Sequence, residues 1–520
     1  MSYGKMPGIL AQALHGGRSW IPALLATLLP VAPLPAPAAA AVRETPSWLV
    51  QGEPTASAET LLAAFRDAAR WGLDPSDYAA PLVIRTNDPE WSAAMSQTAK
   101  RFVSDLHYGR IDPRKVGFDL PSRVQDLDLD AAALQLSRAA DARSVISSVE
   151  PRYRHYAYLK TQLERYRALA TDPTLTSLPA LRHRRLGEGD PYTGASALRR
   201  LLIELGDLSS DSSPTPADDM LDAATTEALR RFQFRHGVAQ DGLLGQRTFA
   251  ALTVPISRRV RQIELTLERW RWLPSSGGPT IIVNIPQYRL FAFRSADDDE
   301  SRMLTMDVIV GQTYPHTRTP VFVGDLQYLI FQPYWDVPRS ILTRELLPKI
   351  RTQPGYLVGN DLEIVGATHA AGPTQHATAA ELDGLASGKL RVRQRPGPRN
   401  SLGAVKFMLP NRYNVYLHGT PAVELFGQSR RTFSHGCIRV SDPHALAAYT
   451  LDQAAEAWSD EQIRQAMQGT ETKRVDLAHP IRVMIVYGTA VATEAGRIYF
   501  FDDVYGNDAR LSAVLAARRN

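Results

Sequence analysis

Cysteine, long apolar runs and clustered positive charge are scarce in this sequence. Its 520 residues include a single cysteine, Cys437, so the chain cannot form an internal disulfide. Lys and Arg (59) barely exceed Asp and Glu (54), and we find no basic block interleaved with aromatics, no zinc-finger pattern and no helix-turn-helix pattern. We therefore expect no nucleic-acid partner. After residue 41 no apolar run approaches the ~20 residues that a membrane-spanning helix needs.

Residues 1–41 have the features of an export signal. Lys5 and Arg18 place positive charge early, residues 20–31 form a short apolar run, and residues 35–41 are rich in small side chains. This pattern predicts a signal peptide. An uncleaved membrane anchor and a disordered tail remain as alternatives.

The length exceeds what one hydrophobic core supports, so we expect about three domains. Hydrophobic spacing predicts helices at 58–71, 91–108, 131–149 and 153–168, and we interpret residues 45–190 as a helical scaffold domain. A Pro- and Gly-rich stretch then leads to a compact unit at 193–254, with three short helices. A linker helix is predicted within 256–274.

From residue 278 the hydrophobic period changes to that of strands, which predicts a β-rich domain at 278–455 and an α+β multidomain chain. Residues 338–403 interrupt this pattern. Because long insertions in compact domains are more often functional, we expect a lid there. The basic run at its end, 391–399, fits a solvated face equally well. Residues 456–520 are assigned only as a C-terminal segment.

Two short segments of this domain carry reactive side chains. A predicted strand, 413–418, ends in His418, and Cys437 follows nineteen positions later beside Gly436. A buried structural thiol is the alternative, since free Cys often acts as a small hydrophobe. We favour a reactive thiol, because a nearby imidazole would lower its pKa below the ~8.5 of a free thiol and sustain a thiolate. Backbone N–H groups around Gly436 and Cys437 are candidate oxyanion donors.

A metal site is another interpretation of the same residues. The possible ligands are His418, His435, Cys437 and His444. Their spacing lacks close pairs such as C-x-x-C or H-E-x-x-H. We therefore expect neither a metal nor another cofactor.

The two segments together resemble the signature of YkuD-type L,D-transpeptidases. His418-Gly419-Thr420 is followed, after thirteen residues, by Ser434-His435-Gly436-Cys437-Ile438-Arg439-Val440. Residues 318–320, 333–338, 396–407 and 496–506 resemble the long YcbB-like members of Gram-negative bacteria. Residues 193–254 resemble a peptidoglycan-binding type 1 module, and a packing module without a ligand is the alternative there. The resemblance implies a helical scaffold, this small three-helix module and a YkuD-type catalytic domain with an inserted lid.

The resemblance also implies roles for individual residues. Cys437 would be the nucleophile and His418 the general base, its ring oriented by a backbone carbonyl. His435 is the rival base and otherwise positions the substrate. Oxyanion or positioning roles fall to Gly419, Ser434, Gly436 and Arg439. Candidate substrate-binding residues are Tyr334, Trp335, Arg395, Asn400 and Tyr416.

The implied activity is a two-step acyl transfer on peptidoglycan stem peptides in the periplasm. Cys437 would attack the diaminopimelate carbonyl of a tetrapeptide stem and release D-alanine, and the side-chain amine of a second stem would resolve the thioester as a 3→3 cross-link. The family likeness further implies acylation by carbapenems. A cysteine L,D-carboxypeptidase that uses water, and a non-catalytic peptidoglycan-binding protein, stay open. The sequence does not separate a stem acceptor from a lipoprotein lysine or a free D-amino acid.

Overall fold

The computed structural model of the protein describes residues 44–84, 90–121, 123, 127–210, 219–275, 277–295, 298–366, 370–371 and 375–518. The proposed signal at 1–41 lies outside this part. Across these ranges no helix combines the length and the apolar character needed to cross a membrane.

The first helices pack around an aromatic core. The ring of Phe102 lies 5.1 to 5.4 Å from those of Phe65, Trp71 and Tyr78. The predicted single helix at 131–149 is wrong, because Asp141 accepts the Arg143 N–H and starts a new helix. The elements are β1 Leu49–Val50, β2 Glu53–Pro54, α1 Ala56–Arg66, α2 Ala80–Val83, α3 Trp91–Tyr108, α4 Leu129–Arg138 and α5 Ala142–Val149.

A second core joins the small module to the helices on either side of it. Its elements are α6 Arg154–Leu169, β3 Arg185–Leu186, α7 Ala195–Leu205, α8 Ala223–Arg235, β4 Leu244–Gly245, α9 Gln246–Leu252 and α10 Ile256–Trp270. The buried side chains of α6, among them Leu159 and Leu163, belong to this core and not to that of the first helices. The packing boundary therefore lies near residue 150, not near 190. Within the module, the Gln233 amide donates to Asp241 and accepts the Gly242 N–H, which fixes the glycine turn.

A nine-stranded sheet forms the predicted β-rich domain, and its long insertion folds beside it. The elements up to residue 451 are β5 Thr280–Asn284, β6 Arg289–Phe293, β7 Leu304–Gly311, β8 Phe322–Phe331, β9 Trp335–Asp336, α11 Arg339–Ile341, a π-helical turn Leu342–Leu346, α12 Leu347–Thr352, α13 Tyr356–Gly359, β10 Leu362–Val365, β11 Ala370–Ala371, α14 Ala379–Ser387, β12 Arg391–Gln394, β13 Val405–Met408, β14 Leu417–His418, β15 Thr432–Ser434, β16 Ile438–Val440 and α15 Pro443–Leu451.

The remaining elements complete the sheet and return the chain to the other domains. They are α16 Asp460–Gln468, β17 Lys473–Val486, β18 Ala490–Ala492, β19 Ile498–Phe500 and α17 Asn507–Ala517. The sheet order is β15-β7-β16-β14-β13-β8-β17-β5-β6, and β6 also pairs with β7, so the sheet closes into a barrel. β17 lies between β8 and β5, and a domain boundary at residue 455 would remove this central strand.

The predicted strand at 413–418 is mostly a turn. Only Leu417 and His418 are paired. The Asn411 side chain accepts the Tyr413 and Val415 N–H groups and donates to the Val415 carbonyl, while Asn414 adopts a φ of 53°. This local bonding replaces strand pairing before residue 417.

The insertion has a core of its own, and most of its arginines pair with its own acids. Leu342, Leu385 and Val392 lie in a cluster separate from the barrel interior. Arg393 pairs with Glu363, and Arg399 lies 2.9 Å from Asp361. The basic run is thus largely neutralised within the insertion.

Candidate active site

Two adjacent strands place the motif residues on one face of the sheet. β14 and β16 pair in parallel, with Leu417 opposite Ile438 and His418 opposite Arg439. Leu417 and Ile438 are fully buried in the barrel core. Because side chains alternate along a strand, His418 and Arg439 face the other side, as do Tyr416 and Cys437 just before them.

The His418 ring is held in a single orientation. It is buried, its Nδ1–H donates to the Gly419 carbonyl at 2.5 Å, and the Leu402 carbonyl also acts on the ring. With Nδ1 protonated, Nε2 is the candidate basic nitrogen. Burial, followed by the charges of Arg439 and Lys406, lowers the pKa of His418 to about 3. The imidazole is therefore neutral at physiological pH. Gly419 acts here by orienting the imidazole.

The Cys437 thiol is also neutral at rest. Burial raises its pKa above the usual 9.0, although hydrogen bonds from Tyr416 and the charges of Lys406 and Arg439 oppose this. The thiol donates to the Asn414 carbonyl at 3.6 Å, and among the described contacts no hydrogen bond joins it to the His418 ring. In this conformation burial favours the neutral thiol and imidazole over the expected thiolate–imidazolium pair, because it penalises both charges.

Tyr416 connects the thiol to the rest of the site. Its hydroxyl is hydrogen-bonded with Cys437 and Trp335, and its ring meets that of His418 edge-on at 5.6 Å. The Lys406 ammonium lies 3.9 Å from the centre of the Tyr416 ring. Lys406 was not predicted as a site residue. Its signal is positional, since it pairs with His418 across β13 and β14.

The loop before β16 fixes the backbone around Cys437. Gly436 has a φ of 119°, which side chains rarely tolerate. Its N–H donates to Ser434 Oγ at 3.1 Å, and Ser434 Oγ donates to the Cys437 carbonyl at 2.5 Å. The Gly436 N–H is therefore occupied and cannot serve as an oxyanion donor in this conformation. The Cys437 N–H has no acceptor in the described part of the chain and is the donor that remains.

A buried threonine clamps this loop to the barrel. Thr319 Oγ1 donates to the Gly436 carbonyl at 2.8 Å and accepts the Gly311 N–H at 2.9 Å. The Tyr505 hydroxyl accepts the Thr319 N–H and donates to the Gly311 carbonyl at 2.6 Å. Thr319 and Tyr505, from the stretches 318–320 and 496–506, thus hold the loop that precedes Cys437.

Arg439 brings a second cation to the site. Burial lowers its pKa, and the neighbouring Cys437 and Glu424 oppose that change. Its Nε is buried and has no hydrogen-bond partner within the described residues. The guanidinium therefore retains donor capacity for an anionic group.

His435 turns away from the thiol and towards the insertion. Its Nε2 lies 2.6 Å from Oε1 of Glu345, which stands on the π-helical turn. This conformation does not place His435 to take the thiol proton. The contact instead joins the nucleophile loop to the insertion.

The structure brings only one of the other predicted substrate-binding residues, Trp335, into contact with Tyr416. Trp335 reaches the site through Tyr416. Tyr334 is exposed, with the Arg393 guanidinium 4.3 Å above its ring. Arg395 lies 4.0 Å from Asp361 within the insertion. Asn400 is buried and donates to the Pro333 and Arg395 carbonyls, so it braces the base of the insertion and does not face solvent.

The histidines considered as metal ligands do not converge. His444 lies 3.0 Å from Asp460, and His435 is held by Glu345. In the ranges covered by the structure, no three His, Cys, Asp or Glu side chains form a group that could hold a metal ion.

Three family models match separate parts of the chain. Residues 278–460 match the L,D-transpeptidase catalytic domain (YkuD), residues 40–163 match the Scaffold domain, and residues 193–252 match the "Putative peptidoglycan binding domain".

Individual proteins show a more distant similarity. A "Putative L,D-transpeptidase" of Haemophilus influenzae is 28% identical over 294 residues, which cover 56% of this chain and 58% of that protein. The match thus spans somewhat over half of that relative. A solved L,D-transpeptidase fragment from Xylanimonas cellulosilytica is 18% identical, with 59% of this chain and 99% of that chain covered and a TM-score of 0.18. A TM-score this low carries no argument.

Proposed function

Since residues 278–460 form a YkuD-type L,D-transpeptidase catalytic domain beside a scaffold and a peptidoglycan-binding domain, we propose that this protein forms 3→3 cross-links between peptidoglycan stem peptides. Cys437 is the nucleophile and His418 the general base in this proposal. The observation that carries it is the placement of His418 and Cys437 on one face of adjacent parallel strands, among Tyr416, Lys406 and Arg439.

Acylation begins when a tetrapeptide stem displaces the thiol from the Asn414 carbonyl. The sulfur attacks the diaminopimelate carbonyl carbon while the thiol proton passes to Nε2 of His418. The carbonyl oxygen becomes an oxyanion, which the Cys437 N–H stabilises with the nearby Lys406 and Arg439 charges. The bond to D-alanine then breaks, and the leaving amine takes the proton from His418.

Deacylation repeats these steps with a new nucleophile. The side-chain amine of a second stem attacks the thioester and gives a proton to His418. The C–S bond breaks, the 3→3 amide forms, and the sulfur regains its proton. No cofactor takes part in the proposed cycle, which suits a reaction without net oxidation.

The neutral imidazole fits this role better than a stored ion pair. An imidazole that burial keeps unprotonated before substrate arrives is free to take the thiol proton as the bond between sulfur and carbon forms. Charge separation then develops only where Lys406 and Arg439 can stabilise the anion. The reaction is gated by substrate in this scheme.

The family of the catalytic domain acts on the cell wall, which implies an extracytoplasmic location. We place the protein in the periplasm, with residues 1–41 as its export signal or an anchor in the inner membrane. Stem peptides are its partners, as donor and as acceptor.

Two measurements test the proposal. Intact-mass analysis should detect a carbapenem adduct on the wild type and none on Cys437→Ser. Muropeptide analysis with disaccharide-tetrapeptide should then show cross-linked dimers. A hydrolysed tripeptide alone would favour the carboxypeptidase, and sacculus binding without adduct or product would favour a non-catalytic binding protein.

A further inference from the structure

A groove runs between the small module and the barrel and reaches the strand before the nucleophile. We name as the inter-module groove the surface formed by Phe234 and Arg247 on the module and by Tyr314, Arg430 and Phe433 on the barrel. We propose that it binds a peptidoglycan strand, with stem carboxylates on the arginines and sugar rings on the aromatics, and so leads the stem towards Cys437. This inference rests on the function proposed above and adds a site that the catalytic motif does not contain.

Two arginines of the groove hold unused positive charge. Arg247 and Arg430 are exposed, and neither forms an ion pair within the described residues. Around Tyr314 and Phe433 the groove lining contains no carboxylate and is completed by Gln312, Thr313, Gln428, Ser429 and Thr432. The part around Phe234 is also lined by Glu300, Asp307 and Asp502, so the acid-free part lies next to the nucleophile loop. An anionic ligand therefore meets two cations without first displacing an internal partner.

Arg430 is presented by a rigid segment. The neighbouring Arg431 is mostly buried and donates to the carbonyls of Tyr288 and Gln428 and to the Asp307 carboxylate, all at 2.9 to 3.1 Å. These bonds fasten the backbone of the segment to the barrel. Of the two adjacent arginines, one is used to hold the loop and the other is left facing the groove.

The aromatic side chains of the groove are exposed without being needed for the core. Tyr314 is 64% exposed, Phe234 53% and Phe433 37%. The Phe234 ring contacts the Tyr499 ring edge-on at 5.8 Å, and the rest of the Phe234 side chain stays exposed to solvent. Flat apolar rings beside polar donors suit the alternating apolar faces and hydroxyl edges of a sugar chain.

The groove is continuous with the nucleophile loop. Phe433 lies in β15 directly before Ser434, whose Oγ contacts both Gly436 and Cys437. Gln312 also lines the groove, and its N–H donates to the Ser434 carbonyl at 2.9 Å. The groove therefore includes a residue four positions before Cys437 in the chain.

A peptidoglycan strand fits this surface better than a peptide alone. The module that supplies Phe234 and Arg247 matches the "Putative peptidoglycan binding domain", while the other wall of the groove belongs to the catalytic domain. Stem peptides carry carboxylates and are attached to the glycan, so one strand supplies ligands for both kinds of side chain. The pairing of charge and rings selects a glycan that bears its stem.

Charge reversal tests the contact between stem carboxylates and the arginines, and ring removal tests the contact between sugar rings and the aromatic side chains. The variants are the double charge reversal Arg247→Glu with Arg430→Glu, the double ring removal Tyr314→Ala with Phe433→Ala, and the control Arg143→Glu, an exposed arginine of the scaffold. Each full-length variant is assayed for cross-linking of disaccharide-tetrapeptide, cross-linking of free tetrapeptide, and acylation by a carbapenem.

We expect the charge reversal to lower kcat/KM for both stem substrates by about tenfold, the effect of two lost surface ion pairs. The ring removal should lower kcat/KM for disaccharide-tetrapeptide alone. Carbapenem acylation should stay within twofold of wild type in every variant. The inference is overturned if the groove variants match Arg143→Glu on both substrates, or if acylation falls in parallel with cross-linking. A wild type that acylates but forms no cross-link refutes the proposed function instead.

Discussion

At the scale of single residues, burial decides the protonation of the active site. His418 and Cys437 are both kept neutral, although Lys406 and Arg439 stand close by. The two cations lower the pKa of the thiol but also that of the imidazole, so they disfavour an imidazolium while assisting an anion. During acylation these charges therefore assist the developing oxyanion and oppose the imidazolium that forms on His418 with it.

Because the thiol is neutral, the rate of its alkylation should rise only at high pH. Because burial raises the pKa of Cys437, the protonated form persists to higher pH than for a free thiol. The rate of alkylation by iodoacetamide should therefore rise steadily from pH 7 to beyond pH 9. His418→Ala should leave this profile in place while it slows acylation by a carbapenem. A rate that is already level between pH 5 and pH 7 would show a stored thiolate and contradict the neutral pair.

The residues of the motif could be found from their spacing, but their environment could not. Lys406 lies in the resembling stretch 396–407, but only the pairing of β13 with β14 places it in the site. Likewise the bond from Gly436 N–H to Ser434 depends on the φ of 119° at Gly436. The protonation states of His418 and Cys437 and the hydrogen-bond partners of Gly436 depend on tertiary packing, which a sequence motif does not describe.

At the scale of elements, the insertion is fastened to the catalytic loop by one contact. The bond between His435 and Glu345 runs from the nucleophile loop to the π-helical turn Leu342–Leu346. Such turns interrupt regular helices and recur at functional sites. Through His435, which lies two positions before Cys437, the contact couples the insertion to the loop that carries Cys437.

Removing this contact should loosen the insertion. Glu345→Ala deletes an exposed charged hydrogen bond of about 0.2–1 kcal/mol, which predicts up to about fivefold faster amide exchange across 339–352. Arg344→Ala, on the same turn and also exposed, is the control and should leave exchange unchanged. Hydrogen-exchange mass spectrometry makes the comparison. Equal exchange in the two variants would show that the contact does not hold the insertion.

Elements with strong local patterns were predictable, and those set by distant partners were not. The predicted bounds of α3, 91–108, are confirmed. β17 was missed because charged residues and Pro480 interrupt its apolar alternation, and a register shift lies between Asp476 and Ile481. Its place between β8 and β5 depends on strands about 150 to 200 residues earlier.

At the scale of the whole molecule, one buried carboxylate joins three parts of the chain. Glu268 on α10 is fully buried and accepts from the Arg110 backbone at 2.5 Å and from Arg271 at 3.2 Å. Arg271 in turn donates to the Tyr156 hydroxyl and to the Trp71 carbonyl. Scaffold, α6 and linker helix thus share one polar network, which fixes the frame on which module and barrel are mounted.

Breaking this network should destabilise the assembled chain. Glu268→Gln removes the negative charge and leaves two buried guanidinium groups uncompensated, which costs about 3–5 kcal/mol in the free energy of unfolding. Glu264→Gln, on the same helix but with partly exposed partners Arg167 and Arg261, should cost less than about 1 kcal/mol. Urea unfolding followed by tryptophan fluorescence measures both.

The pH dependence of the same pair distinguishes a lost charge from lost packing. Burial raises the pKa of Glu268, but Arg110 and Arg271 outweigh it and bring the pKa below the usual 4.5. A carboxyl with a depressed pKa contributes stability that is complete above the unfolded-state pKa and is lost as the pH falls through the folded-state value. The gap between wild type and Glu268→Gln should therefore be constant near pH 7 and narrow below about pH 4.5. A gap that is the same at pH 3 and pH 7 would mean that the glutamine harms packing and that the charge of Glu268 does not hold the domains together.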